Sequence, residues 1–335
     1  MNPVLLDVRD LNVRHHTASG TLIAVDAASF HIGYGETLAL IGESGCGKTS
    51  LGKTLVGLQK ADSGKILFHE VNLAPLSRRK LRPWRQAIQM VFQDPLSALD
   101  PRQRAYKAVD LPLRLHTRLD RAGRQARIRE LFDQVGLETA LLQRFPHQLS
   151  GGQRQRLNIA RALAPAPELI VCDEPVSALD VSLQAQIVAL LGSLQQRTGV
   201  SFLFISHDLS VVAHIAGRIA VMYLGQIVEI LPKDRLWTRA AHPYTRLLLN
   251  SIPGASPDTR RLQAIPPEDR EPPSPYALPP GCRFQQRCPL VQPVCRALAP
   301  QLLPLDKTQS VACHLHNPAI IPPEPAHIII RSSLS

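Results

Sequence analysis

The chain has 335 residues and a mass of 36.9 kDa, enough to bury one large core or two ordinary ones. With 44% hydrophobic and 19% charged residues it has the balance of a folded globular protein, which excludes a disordered chain. The net charge of +11 raises nucleic acid as a partner, yet thirty Arg and eight Lys are scattered along the chain with one dense patch from Arg102 to Arg129. No run reaches the ~18 apolar residues that span a bilayer. The first residues, Met1-Asn-Pro-Val-Leu-Leu-Asp7, meet a charge too early for a secretory leader, so a cytoplasmic chain is expected.

Three short apolar runs each end at a chemically loaded turn: Thr37 to Gly42, Leu169 to Asp173 and Phe202 to His207. Runs of this kind predict buried strands of a parallel sheet, whose C-terminal ends are where open α/β folds bind ligands. The first run leads into Gly42-Glu43-Ser44-Gly45-Cys46-Gly47-Lys48-Thr49, which fits G-x-x-x-x-G-K-[ST]. Glycines let backbone N–H groups curl round phosphates, Lys48 reaches the β and γ phosphates, and Thr49 is placed to ligate Mg²⁺. Cys46 and Ser50 are expected to supply backbone contacts and packing.

From about residue 101 to 158 the chain is rich in Arg, Leu, Ala and Gln at helical spacing, which predicts a helical insert. The basic patch between Arg102 and Arg129 lies there, interleaved with Leu111, Leu113, Leu115, Leu119, Ile128 and Leu131. A solvated helix face is the plain reading, a face near anionic lipid the next, and nucleic acid the last. The run ending in Cys172-Asp173-Glu174 then brings two carboxylates to the phosphate site. Asp173 is expected to hold Mg²⁺ and Glu174 to act as general base toward water.

Between these two halves stands Leu149-Ser150-Gly151-Gly152-Gln153, continuing Arg-Gln-Arg156. Together with the phosphate loop and the acidic strand end, it resembles the signature of ATP-binding-cassette (ABC) ATPases over residues 1 to about 250. The resemblance implies an α/β P-loop cassette with a RecA-like core, a mixed sheet and a helical subdomain. It implies that the signature serves the ATP of a partner subunit, so that ATP joins two cassettes and hydrolysis lets them part. It also assigns Gln93 to the Q-loop, beside Mg²⁺ and water, Ser177-Ala178-Leu179-Asp180 to the D-loop, and His207 to the γ-phosphate switch. The aromatic residue that stacks on adenine in the family falls here at His15 or His16; a solvent-exposed loop histidine is the equal alternative.

Beyond residue 253 the composition changes, with 17 of the 29 prolines in the last 85 residues. Such a stretch cannot be long helix or central strand, and it predicts a loop-rich extension over 253–335 following a cassette over 1–252. It carries Cys282, Cys288, Cys295 and Cys313 at spacings that lack a C-x₂-C knuckle. Disulfides are not expected in a cytoplasmic ATPase. Gly281-Cys-Arg-Phe-Gln-Gln-Arg-Cys-Pro289, Val311-Ala-Cys-His314 and His242-Pro-Tyr-Thr-Arg246 resemble ATPases of dipeptide, oligopeptide and nickel importers. In that group the four thiols imply a [4Fe–4S] cluster, with zinc or free thiols left open.

Phe92 to Arg102 and Ser206 to Val212 are closer to the group's F-type member. The resemblance then implies a peripheral subunit on the cytoplasmic face of the cell membrane. Its expected partners are two permease subunits, a second D-type ATPase and an extracytoplasmic solute-binding protein, with no nucleic acid. A soluble cassette of the repair or translation type is the alternative function.

Overall fold

The computed structural model describes residues 3–18, 20–251, 273–274 and 276–317. The expected cassette boundary near residue 253 and much of the proline-rich stretch lie outside the described residues.

The sequence opens on two long antiparallel strands, β1 (Val4–Thr17) and β2 (Gly20–Gly33), before the first apolar run forms β3 (Thr37–Ile41). Helix α1 (Lys48–Leu55) leads to strands β4 (Ser63–Phe68) and β5 (Val71–Asn72). A single helical turn, α2 (Trp84–Ala87), precedes β6 (Ile88–Val91). Strands β2, β1, β4 and β5, in that order, make a four-stranded antiparallel sheet that the apolar runs had not announced. Its strands alternate buried and exposed positions, the pattern of a sheet covered on one face.

The expected helical insert is present as α3 (Ala105–His116) and α4 (Arg121–Gln134), then two short 3₁₀ turns and α5 (Gly151–Leu163). Of the leucines in its basic patch, Leu113 and Leu131 enter the core with Ile128, whereas Leu111, Leu115 and Leu119 stay exposed. Pro112 sits inside α3 with its ring buried.

The chain continues through β7 (Leu169–Asp173), α6 (Val181–Thr198), β8 (Ser201–Ser206), α7 (Leu209–Ile215), β9 (Arg218–Tyr223) and β10 (Gln226–Pro232). Helices α8 (Leu236–Arg239) and α9 (Pro243–Asn250) complete this part. In the extension, α10 (Pro293–Ala297), β11 (Leu303–Pro304) and β12 (Ser310–Val311) are all short, as the proline content demands.

The main sheet has eight strands in the order β11-β12-β10-β9-β3-β8-β7-β6. Its centre is parallel, from β9 through β3, β8 and β7 to β6, and its other edge is antiparallel. Every residue of β3, β7 and β8 is buried, so these strands are covered on both faces. Leu38, Leu40, Val171 and Leu203 point to one core, shared with α1 and the antiparallel sheet. Ala39, Ile41, Ile170 and Phe202 point to the other, shared with the insert, α6 and the extension's Phe284. The extension is therefore no free appendage: β12 pairs with β10 through Glu229 and Ile230, and it lengthens the main sheet.

Candidate functional site

Four of the parallel strands end on one side of the main sheet, and each delivers one part of a single cleft. The cleft has a volume of about 370 Å³ and is lined by residues 44–50, Gln93, Glu174, His15, Leu22, Ile23, Ala24, Leu224 and Leu278.

After β3 the chain turns through Gly42, Gly45 and Gly47, all at positive φ (158°, 78° and 109°). At Gly47 the need for glycine is also steric, since a Cβ would sit 1.9 Å from the Ala24 carbonyl oxygen. Helix α1 begins at Lys48 with no side-chain cap, which leaves its first N–H groups aimed at the loop. The Lys48 ammonium is buried and donates to the carbonyls of Gly42 at 2.8 Å and Glu43 at 2.9 Å. Cys46 is buried beneath it, and its thiol is pushed up by that burial. Ser50 shares a hydrogen bond of 3.0 Å with the His15 ring. His15 is the one of the two histidines that lines the cleft; His16 is exposed and pairs with Thr21 Oγ1 at 3.1 Å.

Thr49 Oγ1 donates to Asp173 Oδ1 at 2.9 Å, bringing a hydroxyl and a carboxylate together at the ends of α1 and β7. Burial raises the Asp173 carboxyl above its ordinary value, against the pull of the Thr49 hydrogen bond. Two hard oxygen donors beside a phosphate cradle suit Mg²⁺, a cation that keeps several waters and takes few protein ligands.

Glu174 follows in the left-handed backbone region, at φ 45°, a conformation that costs a non-glycine residue about 1–3 kcal/mol. Its N–H donates to the Ile205 carbonyl of β8, which holds it there. The carboxylate then receives two neighbours: Gln93 Nε2 donates to Oε2 at 2.9 Å, and His207 Nδ1 lies 3.2 Å from Oε1. Gln93 comes from just beyond β6 and His207 from just beyond β8, so the three side chains meet only in the folded chain.

Leu149, Ser150, Gly151, Gly152 and Gln153 are absent from the cleft lining. Ser150 caps α5, accepting from the Gln153 N–H at 3.2 Å while the Gln153 side chain accepts from the Ser150 N–H at 2.9 Å. A Cβ at Gly152 would meet Leu183 of α6 at 3.2 Å, so this helix start packs closely on the following segment. There Ser177 Oγ donates to the Glu174 carbonyl, Ala178 is exposed, and Leu179 packs against the core. Asp180 caps α6 through the Leu183 N–H at 2.9 Å.

The four extension cysteines fall in one neighbourhood. Cys282 N–H donates to the Cys295 carbonyl, and the Cys288 and Cys313 thiols each feel Cys282 and Cys295. Burial pushes Cys282 up, Cys288 to about 12 and Cys313 to about 11, which keeps these three thiols protonated. Among the described residues no group of three or more His, Cys, Asp or Glu is arranged to hold a metal ion. The four thiols expected to ligate a [4Fe–4S] cluster are thus neighbours, but they do not form a metal-holding group among the described residues.

Several residues that hold the site had no physical role assigned to them by the sequence. Glu43 N–H donates to Tyr244 Oη at 2.9 Å, and the Glu43 carboxylate takes a two-pronged pair from Arg287. Glu229, fully buried, accepts from the N–H groups of Ala241 and His242, from Thr245 Oγ1 and from Gln309 Nε2. The signal for it was one acid in an otherwise apolar strand. Leu278 of the extension reaching the cleft had no signal in the sequence.

No helix among the described residues is long and apolar enough to cross a membrane. Residues 25–177 match the ABC transporter family, and residues 228–295 match the oligopeptide/dipeptide transporter C-terminal region. The oligopeptide transport ATP-binding protein AppF of Bacillus subtilis (strain 168) is 45% identical over 303 residues, covering 89% of this chain and 91% of that protein. OppF of Salmonella typhimurium (strain LT2), of the same description, is 44% identical over 309 residues, covering 89% and 92%. The cassette MJ0796, solved as a dimer in a post-hydrolysis state with ADP and Pi, superposes with a TM-score of 0.63 at 28% identity. That match covers 68% of this chain and 98% of the solved one. The chain belongs to the ABC transporter ATP-binding family and carries the C-terminal region of its oligopeptide/dipeptide branch.

Proposed function

We propose that this ABC ATPase is the ATP-hydrolysing subunit of an importer for peptides, working at the cytoplasmic face of the membrane. Two permeases, a second, D-type ATPase and an extracytoplasmic binding protein complete the proposed assembly. The relatives are peptide-transport ATP-binding proteins by name, and the oligopeptide/dipeptide C-terminal region supports the same solute class. The observation that carries the mechanism is the Glu174 carboxylate, held between Gln93 and His207 at the mouth of the phosphate loop.

In this reading the loop amides of residues 44–49 and the Lys48 ammonium bind the phosphates of ATP. Thr49 and Asp173 would hold Mg²⁺, which neutralises phosphate charge when bound. Glu174 takes a proton from water as the water oxygen bonds to the terminal phosphorus and the bond to ADP breaks. Gln93 and His207 fix which way that carboxylate faces, and His15 offers its ring to the base. Ser150, Gly151 and Gly152, which lie outside this cleft, serve the nucleotide of the partner ATPase, as the family signature implies. ATP then closes the pair and hydrolysis opens it, a cycle that moves the permeases.

Glu174→Gln keeps the shape of the site and removes the base. Hydrolysis by the assembled transporter should fall by about 10²–10⁴-fold while ATP stays bound, and peptide uptake into vesicles should stop. Normal uptake with this variant would overturn the proposal.

A [4Fe–4S] cluster on Cys282, Cys288, Cys295 and Cys313 is a separate reading that carries no step of this cycle. Its support is the number of thiols and their shared neighbourhood, and iron and sulfide analysis after anaerobic purification tests it.

A further inference from the structure

We propose that Arg287, supplied by the C-terminal extension, is a positioning residue for ATP binding that acts through Glu43 of the phosphate loop. The contact is a fork: Arg287 Nη1 donates to Glu43 Oε2 and Nη2 to Oε1, both at 2.9 Å. A guanidinium held this way fixes the direction of a carboxylate as well as its charge. The Arg287 side chain is 9% exposed, with Tyr223 and Phe284 rings 5.8 and 5.9 Å from its guanidinium. Burial alone would disfavour its charge, but the two hydrogen bonds to Glu43 outweigh that and hold it protonated.

Glu43 is held on all its polar groups. Its N–H donates to Tyr244, and its carbonyl accepts from Lys48 Nζ at 2.9 Å and from the Cys46 N–H at 3.3 Å. A shift of Glu43 is thus a shift of the lysine that meets the phosphates. The carboxylate also lies next to a cradle for a polyanion, where an unpaired negative charge would repel the ligand. Arg287 removes that repulsion and pins the loop with one side chain.

A second tether from the extension supports the same end of the cleft. Arg283 pairs with Asp26 and donates to the Leu224 carbonyl. Gly225, next along, donates its N–H to the Cys46 carbonyl at 2.8 Å, and Leu278 lines the cleft directly. The extension therefore completes the nucleotide pocket of its own chain.

The inference rests on reading the cleft as the ATP site, so ATP binding by the full-length wild-type chain is measured first; failure there defeats the site reading itself. With binding established, Arg287→Ala should weaken ATP about tenfold or more, while turnover at saturating ATP in the assembled transporter changes less than about threefold. Arg287→Lys should recover part of the affinity through charge without the fork. Adding Glu43→Gln to Arg287→Ala should recover affinity too, because the unpaired charge is gone. Unchanged affinity in Arg287→Ala would overturn the proposal, as would a loss that Glu43→Gln deepens additively. If Arg287→Ala does not fold, Arg287→Lys against the wild type, with and without Glu43→Gln, gives the same comparison.

Discussion

Glu174 and Gly47 show how much of this site rests on backbone conformations that most residues avoid. Glu174 sits at φ 45° because the Ile205 carbonyl receives its N–H, and that strained turn presents its carboxylate to Gln93 and His207. Gly47 is at φ 109° with a carbonyl 1.9 Å from where a Cβ would stand, so Gly47→Ala must move β2 or the loop. That variant should lose ATP binding by equilibrium titration while its far-ultraviolet circular dichroism stays native. Retained affinity would show that the loop has slack which this geometry denies. Lys48, Thr49, Asp173 and Glu174 were legible in the sequence because their motifs encode a local turn and a strand end. That Gln93, Glu174 and His207 serve one site was implied only by resemblance, and that they touch was not legible at all, since three separate strands must align to bring them together.

At the level of elements, the start of α9 is a pH-sensitive joint. His242 caps this helix, its Nδ1 accepting from the Tyr244 N–H at 3.0 Å. Burial, then the charges of His316 and Arg246, push His242 down to about 3 from an ordinary 6.5. A depressed folded value means that the unfolded chain binds the extra proton. The stability involved is complete above pH 6.5 and is lost progressively as pH falls from 6.5 towards 3. Glu229, which accepts from the His242 N–H, works in the opposite sense, because burial raises its carboxyl. His242→Asn keeps a capping oxygen and has no proton to gain. Its melting temperature relative to wild type should therefore rise as pH falls from 7.5 to 4.5. A difference that stays constant with pH would exclude His242 as the cause. The motif His242 to Arg246 had marked a subgroup in the sequence without a physical role. Its role is to join α9 to β10 through Glu229 and to the phosphate loop through Tyr244.

For the whole molecule, composition separates the extension from the cassette more sharply than packing does. Among the described residues after 253 the helix and strands are short, as the proline content leads one to expect. It says nothing of where the intervening Phe, Arg and Gln side chains go, because those contacts cross forty or more residues of sequence. Phe284 is 1% exposed and packs on Tyr223, Tyr244 and His242, within the core that holds the insert. Gln309 fills a hydrogen-bonding position on buried Glu229, and β12 lengthens the main sheet beside β10. Removing these groups would leave an apolar hollow and a less-satisfied buried acid, so the cassette and the described extension should unfold together. Phe284→Ala should then cost about 3–5 kcal/mol, as a core aromatic does, and shift one melting transition followed through both calorimetry and ATP binding. If the extension were only draped on the surface, the variant would melt in two steps, the first without loss of bound ATP. A single displaced transition instead makes the extension part of the folding unit of the ATPase, which is the mechanical condition for Arg287 to act on the phosphate loop.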